Sequence, residues 1–469
     1  MHTPRYPSLY ELNIRVRLTE LSAALGRTAT LDDVPDEDLD RLAADGLDWI
    51  WLLSVWRTGE ASRAVSRSDP ALRRVFEETL PDLREDDIAG SGFAIAAYAV
   101  DPSIGGDPAL ARLRERLRIR GLRLMLDFVP NHTALDHAWT TTHPEYYVRD
   151  NGSIACGKDP FFPPWTDTRQ LDYSNPATIE AMTGELLKIA AQCDGVRCDM
   201  AMLVLPDVFE RTWGRTARPF WPEAIRRVRD RESGFCFMAE VYWDLEWTMQ
   251  QLGFDYTYDK RLYDRLRAGQ ATPVRDHLRA GLDYQDRLAR FLENHDEPRA
   301  AAVFDRAMRE SAAVVTYLTP GLRFFHDGQF EGRRVRLSPH LVRRPFEPVD
   351  RETERFYERL LAVLRQPVMR GGEWRLLESV PAWDGNWTSD CVLAWLWSAG
   401  DERRLVAVNY ADHQSQCFVR GPFRAETTGV IRFADLMGPA VYDRDAADLD
   451  TRGLYLDLAP WRYHVFALT

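Results

Sequence analysis

DPALARLRERLRIRGLRLMLDFV, residues 107–129, is the stretch on which the reading of the fold turns. Its first half predicts a helix: Asp107 caps, Pro108 takes the first turn, Leu110, Leu113 and Leu117 share one face, and Gly121 stops it. The run that follows, Leu122 to Val129, is apolar apart from Arg123 and Asp127 and predicts a buried strand.

Working outward, short apolar runs alternate with helical patterns over the first two-thirds of the chain, the signature of repeated βα units and a parallel sheet. The strand candidates are Leu9 to Ile14, Trp49 to Ser54, Leu122 to Val129, Gly195 to Asp199, Phe235 to Glu240, Phe254 to Tyr256, Arg290 to Glu293 and Leu322 to Phe325. Eight such units, in a chain of 469 residues, suit an α/β barrel with a smaller companion. Between the third and fourth runs, Pro130 to about Asn175 is rich in Pro, Gly and aromatic residues and too long for a simple loop, so a small subdomain over the barrel mouth is expected. After about residue 370, Leu393 to Trp397, Arg404 to Asn409 and Leu454 to Leu458 are β-like runs separated by turn residues, which predicts a terminal antiparallel β domain.

Composition narrows the function. An apolar fraction of 45% is enough for large cores, and a formal charge of -12, from 60 basic and 72 acidic residues, argues against a nucleic-acid partner. A neutral small-molecule ligand fits better. Pro4, Arg5, Pro7, Glu11, Arg15 and Arg17 interrupt any apolar leader, and the longest apolar stretches, such as Phe93 to Val100, fall far short of the roughly 20 residues of a membrane span. A cytoplasmic protein with no membrane partner is therefore expected. The six cysteines show neither C-x-x-C pairs nor zinc spacing and are read as reduced, mostly buried small hydrophobes.

Three acidic positions carry the chemistry. In Gly195-Val196-Arg197-Cys198-Asp199 the period of two places Arg197 and Asp199 on one strand face, where the guanidinium would keep the carboxylate ionised for nucleophilic work. An isolated Arg-x-Asp is more often a structural ion pair. Context decides: Phe235 to Ala239 is an apolar strand delivering Glu240 at its C-terminal end, where a barrel builds its active site and where apolar surroundings favour a protonated carboxyl. Glu293-Asn294-His295-Asp296-Glu297 follows the seventh strand in the same way. Carboxylates at the ends of three barrel strands converge by geometry.

Taken with Asp127-Phe128-Val129-Pro130-Asn131-His132, these segments resemble, in order, the four conserved regions of the α-amylase superfamily, glycoside hydrolase family 13. Tyr10-Glu11, Gln170 to Pro176 and Gly328-Gln329 also resemble family positions, so the likeness spans nearly the whole chain. The resemblance implies a (β/α)₈ TIM barrel in residues 1–129 and 176–368, an inserted B domain in 130–175 and a C-terminal β-sandwich in 369–469. It implies Asp199 as nucleophile, Glu240 as acid/base and Asp296 as the carboxylate that binds sugar hydroxyls and stabilises the transition state. Arg197 would orient Asp199, Asp127 would hold Arg197 from behind, and His132 and His295 would hydrogen-bond the first donor sugar. Phe161 to Trp165 and Trp243 would shape the acceptor side.

There are departures. Leu203 stands where the family usually carries a His four residues past the nucleophile, so a structural calcium near Asn131 is not expected to be required, and no other cofactor is implied. Ser91-Gly92-Phe93 stands for a His-Gly-Tyr segment, and Ala97 for an acid, which removes two donors from the donor subsite while leaving Phe93 to stack on a sugar. The expected function is retaining hydrolysis of short α-glucosides. Transfer or phosphorolysis, in which an acceptor other than water wins, is an alternative within enzymes. A catalytically silent binding or scaffold barrel is the alternative outside them, and it predicts lost carboxylates, which this chain retains.

Overall fold

In the computed structural model, which describes residues 4–423 and 429–469, all eight apolar runs are strands that pair with parallel neighbours and close on themselves. They are β1 (Ser8–Asn13), β2 (Trp49–Leu53), β3 (Arg123–Phe128), β4 (Gly195–Cys198), β5 (Cys236–Ala239), β6 (Tyr256–Tyr258), β7 (Leu288–Phe291) and β8 (Leu322–His326). The order around the barrel is sequential, with β1 closing onto β8. Both strand faces are covered, so a run such as Trp49-Ile50-Trp51-Leu52-Leu53 is buried at every position and shows no alternation.

Every strand departs from its expected range at one end or both, by one residue except in β6 and β7, which shift by two residues at each end. β6 begins at Tyr256 where Phe254 was expected, because Phe254 is buried against Trp221 at 4.7 Å below the point where the ladder starts. β7 ends at Phe291 where Glu293 was expected, because Leu292, Glu293 and Asn294 stay buried beyond the sheet. Apolar burial alone does not mark the last ladder bond. The helix before β3 spans Gly106–Ile119, with Leu110, Leu113 and Leu117 buried as expected, but Asp107 is not its cap. Gly105, at φ 106°, holds that position, and the Asp107 carboxylate accepts from the Val100 amide at 2.8 Å, tying the helix start to the preceding strand.

Three excursions frame the C-terminal mouth. Residues 130–175 form short antiparallel pairs, His132–Ala134 with Thr168–Gln170 and Arg149–Asp150 with Ser153–Ile154. A second excursion, after β2, pairs Trp56–Thr58 with Ile95–Val100 and carries the helices Glu60–Ser68 and Pro70–Thr79. Sequence reading passed over it because two amphipathic helices there look like barrel helices. The third, residues 327–350, has no regular secondary structure and is tied to the second by Arg343, which pairs with Asp87 at 2.8 Å and Asp82 at 3.0 Å.

The C-terminal strands form a six-stranded and a three-stranded antiparallel sheet. In Val392–Ala399 the period of two divides the side chains between two cores: Val392, Ala394 and Leu396 face the second sheet, while Leu393, Trp395 and Trp397 join the barrel core. The indoles of Trp395 and Trp397 both donate to the Leu318 carbonyl at 2.7 Å, so the strand is packed on one side and hydrogen-bonded to the barrel on the other. Among the described residues no helix is long and apolar enough to cross a membrane.

The start of β8 depends on Gly321, whose φ of 115° is open to glycine alone and whose added Cβ would collide with the Leu288 carbonyl of β7. Gly321→Ala should destabilise the protein by about 3 kcal/mol through strain and overpacking. Gly26→Ala, at φ 66° with nothing within 4 Å, should cost only about 1 kcal/mol. Thermal unfolding of the two variants side by side checks this, and equal midpoints would contradict it.

Candidate active site

Register puts the charged residues at one height. Arg197 of β4 lies opposite Asp127 of β3, and both project into the barrel. Beyond the strand ends one further ladder bond each fixes the next residues: the Asp199 amide donates to Phe128 O at 2.9 Å and the Glu240 amide to Cys198 O at 3.0 Å. Both carboxylates therefore sit on the rigid rim of the sheet.

Between them lies the wholly buried guanidinium of Arg197. Nη1 donates to Asp199 Oδ1 at 2.8 Å, Nη2 to Glu240 Oε2 at 2.5 Å and Nε to the Tyr258 hydroxyl at 3.3 Å, while Asp127 Oδ1 stands 3.6 Å away. Trp51 and Phe93 flank the cation at 5.2 and 5.1 Å from their ring centres. Glu240 is held further by the Met200 amide, which donates to Oε2 at 2.8 Å, and by the Tyr242 hydroxyl, which donates to Oε1 at 2.8 Å. Met200 presents that amide from a left-handed backbone, φ 41°, a conformation that costs a non-glycine residue about 1 kcal/mol or more.

Burial pushes the Glu240 carboxyl up to about 7, with Asp199 and Asp296 adding to the effect and Arg197 opposing it. A carboxyl in that range holds its proton near neutrality. Burial also raises Asp199, despite the pull of Arg197 through charge and hydrogen bond, so the cation does not by itself bring this carboxyl below its ordinary value. Burial takes Asp127 up to about 7 against Arg197, consistent with an Oδ1 that has no hydrogen-bond partner. Asp296 behaves oppositely. Surrounding protein alone would raise it, but the His295 ring, 2.9 Å away, overrides that and brings it down to about 2. Its side chain stays 44% exposed, open to solvent on the side of the mouth. Burial would lower His295, but Asp296 and Glu11 hold it well above the usual imidazole range.

Asp199, Glu240, Asp296, Arg197, Asp127 and His295 thus come together. Phe93 presents its face to Arg197 and lies tilted by 31° against His295 at 5.4 Å. His132 is buried beside Trp165 at 5.2 Å, and burial lowers it to about 4, leaving a neutral ring. Trp243 stands apart, edge-on to Phe161 at 5.0 Å, and Phe161 and Phe162 are both largely exposed. Of the acidic cluster after β7 only Asp296 faces the others. Glu293 turns to Arg299 at 2.6 Å, and Glu297 to Lys260 at 3.3 Å.

Asn131 Oδ1 and the Asn131 carbonyl both accept from the Gln170 amide at 2.9 Å, and Leu203, four residues past Asp199, is a buried aliphatic side chain. No group of three His, Cys, Asp or Glu side chains suited to a metal occurs among the described residues. Sequence reasoning missed Tyr242, Tyr258 and Trp51. Tyr242 was legible, since the period of two carries it to the same side as Glu240.

A family model described as the alpha amylase catalytic domain matches residues 37–334. The chain is 24% identical over 341 residues to alpha-amylase MalA of Haloarcula japonica, covering 70% of this chain and 44% of that protein. It is 23% identical to alpha-amylase 3 of Dictyoglomus thermophilum, covering 54% of this chain and 56% of that one. The chain thus spans about half the length of these curated relatives. Among solved structures, the noncanonic maltogenic alpha-amylase AmyB of Thermotoga neapolitana superposes with a TM-score of 0.74 at 21% identity, covering 99% of both chains. With the matched segment running from the helix before β2 to just past β8, more than half of the chain, this protein belongs to the α-amylase family through its catalytic domain.

Proposed function

We propose that the protein is a retaining glycosidase that acts on α-glucosidic bonds of short α-glucosides by double displacement. The observation that carries this reading is the single Arg197 guanidinium hydrogen-bonded to both Asp199 and Glu240. One fork holding both carboxyls favours the spacing of about 5 Å used for direct attack over the roughly 6.5–9.5 Å that must admit a water. Glu240, protonated near neutrality, gives its proton to the glycosidic oxygen as the bond to the leaving sugar breaks. Asp199, with Oδ1 engaged by Arg197, uses Oδ2 to form the covalent glycosyl ester. Glu240, now ionised, takes a proton from the incoming water, which attacks the anomeric carbon from the side the leaving group vacated and regenerates Asp199. Asp296, ionised at the open side of the site, receives the sugar hydroxyls together with His295, and His132 meets the same sugar as a neutral ring. No step in this reading uses a metal.

Phe93, pressed on Arg197 and His295, and Trp165, beside His132, support a donor side with room for a short ligand. The exposed Phe161 and its neighbour Trp243 supply an aromatic platform for the acceptor sugar or leaving group.

Asp199→Ala and Glu240→Gln should each lower turnover on a short α-glucoside by several orders of magnitude with the fold retained, and NMR of the wild-type reaction should show the retained anomer first. Near-normal rates in either variant, or the inverted anomer, would reject the assignment. The basic limb of kcat/KM should fall near pH 7 as Glu240 loses its proton. Because the Tyr242 hydroxyl bond favours the ionised carboxylate, Tyr242→Phe should raise Glu240 and move that limb upward, by up to about one pH unit for a bond worth roughly 1 kcal/mol. A limb that stays or moves down contradicts it. Rate per bond across a malto-oligosaccharide series should peak at about two to four units, since a short site gains nothing from distant sugars. Viscosity of soluble starch that drops before reducing ends accumulate would overturn the short-substrate reading.

A further inference from the structure

Behind His295, on the side away from the sugar, lies a carboxylate that the proposed reaction does not use. Glu11 is on β1, wholly buried, in register with Trp51 of β2 and His326 of β8. Its Oε1 is 2.5 Å from His295 Nδ1. Its Oε2 has no hydrogen-bond partner and stands 3.9 Å from His326 Nε2. On its other side His326 Nδ1 lies 2.8 Å from Arg299 Nη1 and 3.5 Å from Glu293 Oε1. His295 is the group hydrogen-bonded to Glu11 that is able to carry the compensating charge, and a buried carboxylate without such a charge is costly.

We propose that Glu11 is a positioning residue that keeps His295 a double donor, with Nδ1–H given to Glu11 and Nε2–H, close to Asp296 at 2.9 Å but not hydrogen-bonded to it, left for the incoming sugar. This rests on the reading of the cleft as a sugar site. The alternative, a neutral Glu11 donating its proton to Nδ1 of a neutral ring, leaves the ring one proton, on Nε2, so the two arrangements differ in whether Nδ1 carries a proton and in the charge of the ring. The other charged groups around His295 are Asp296 on its own loop, Asp127 on β3, and Asp199 and Arg197 on β4. The three carboxylates support the imidazolium and the guanidinium opposes it. Trp51, at 5.6 Å, and Phe93, at 5.4 Å, fix the plane of the ring. None of these other groups bonds Nδ1. Glu11 alone sets what that nitrogen carries.

The test combines histidine-labelled NMR with kinetics on the full-length chain, the His295 signal being assigned by its loss in His295→Gln. In the wild type both ring nitrogens should read as protonated at pH 6 and at pH 8. In Glu11→Gln, whose amide oxygen still accepts from Nδ1–H, the ring should remain in place but titrate to neutral between those values. KM should then rise about tenfold at pH 8, for a lost donor worth about 1.4 kcal/mol, and less than twofold at pH 6, with kcat affected less than KM. Glu11→Asp should recover part of the effect. A neutral His295 in the wild type at pH 8 overturns the proposal, and so does a Glu11→Gln penalty equal at both pH values, which a merely structural role would give. If Glu11→Gln does not fold, the wild-type spectrum alone decides. Failure to hydrolyse any α-glucoside would reject the proposed reaction and leave the ring's protonation state to be read independently.

Discussion

A guanidinium with no exposure to water lies at the centre of the barrel, and the arrangement of the mouth follows from the need to neutralise it. Arg197 is held by Asp199 and Glu240 directly, by Asp127 at longer range, and by the faces of Trp51 and Phe93. Isolated in an apolar barrel such a charge would be prohibitive, and removing any one carboxylate would leave the rest unbalanced. The same fork that neutralises the cation brings two carboxyls from adjacent strands to one place. Electrostatic balance and catalytic spacing are met by one set of bonds.

The carboxyls around this cation separate in their acidity because their surroundings differ. Glu240 is closed in, and burial with Asp199 and Asp296 nearby outweighs Arg197, whereas Asp296 is open on one side and paired with His295. A proton donor and a permanent anion thus stand in one cleft, built from the same functional group. Further down, Glu11, His326, Glu293 and Arg299 continue the polar contacts into the barrel wall. The site is therefore the top of a buried polar column that starts within β1 and β8.

That column needs a rigid frame, and the frame extends beyond the barrel. Arg323 of β8 is buried at the opposite end and donates to the carbonyls of Tyr317, Tyr6 and Met369, which ties the last strand to the first segment and to the helix Pro367–Gly371. Trp395 and Trp397 add the terminal sheet to the same core. The β domain is thus packed against the barrel's outer helices.

The sequence by itself determined the eight strand runs, because continuous apolar stretches between helical patterns have one stable use, a parallel sheet covered on both faces. It also determined that Arg197 and Asp199 share a side, since a period of two leaves no choice. Asp107 shows the limit: its residue type suits a cap, but a carboxylate bonds whichever amide tertiary packing brings near, here that of Val100. The ends of β6 and β7 and the helices of residues 60–79 were not legible for a related reason, as burial and amphipathicity are identical inside and outside the ladder. Only the tertiary structure decided which member of Glu293, Asp296 and Glu297 faces the cleft, that burial outweighs Arg197 at Asp199, and that Glu11 sits behind His295. Each of these depends on distances between strands far apart in the chain, and acidity depends on what surrounds a carboxyl and not on which residue carries it.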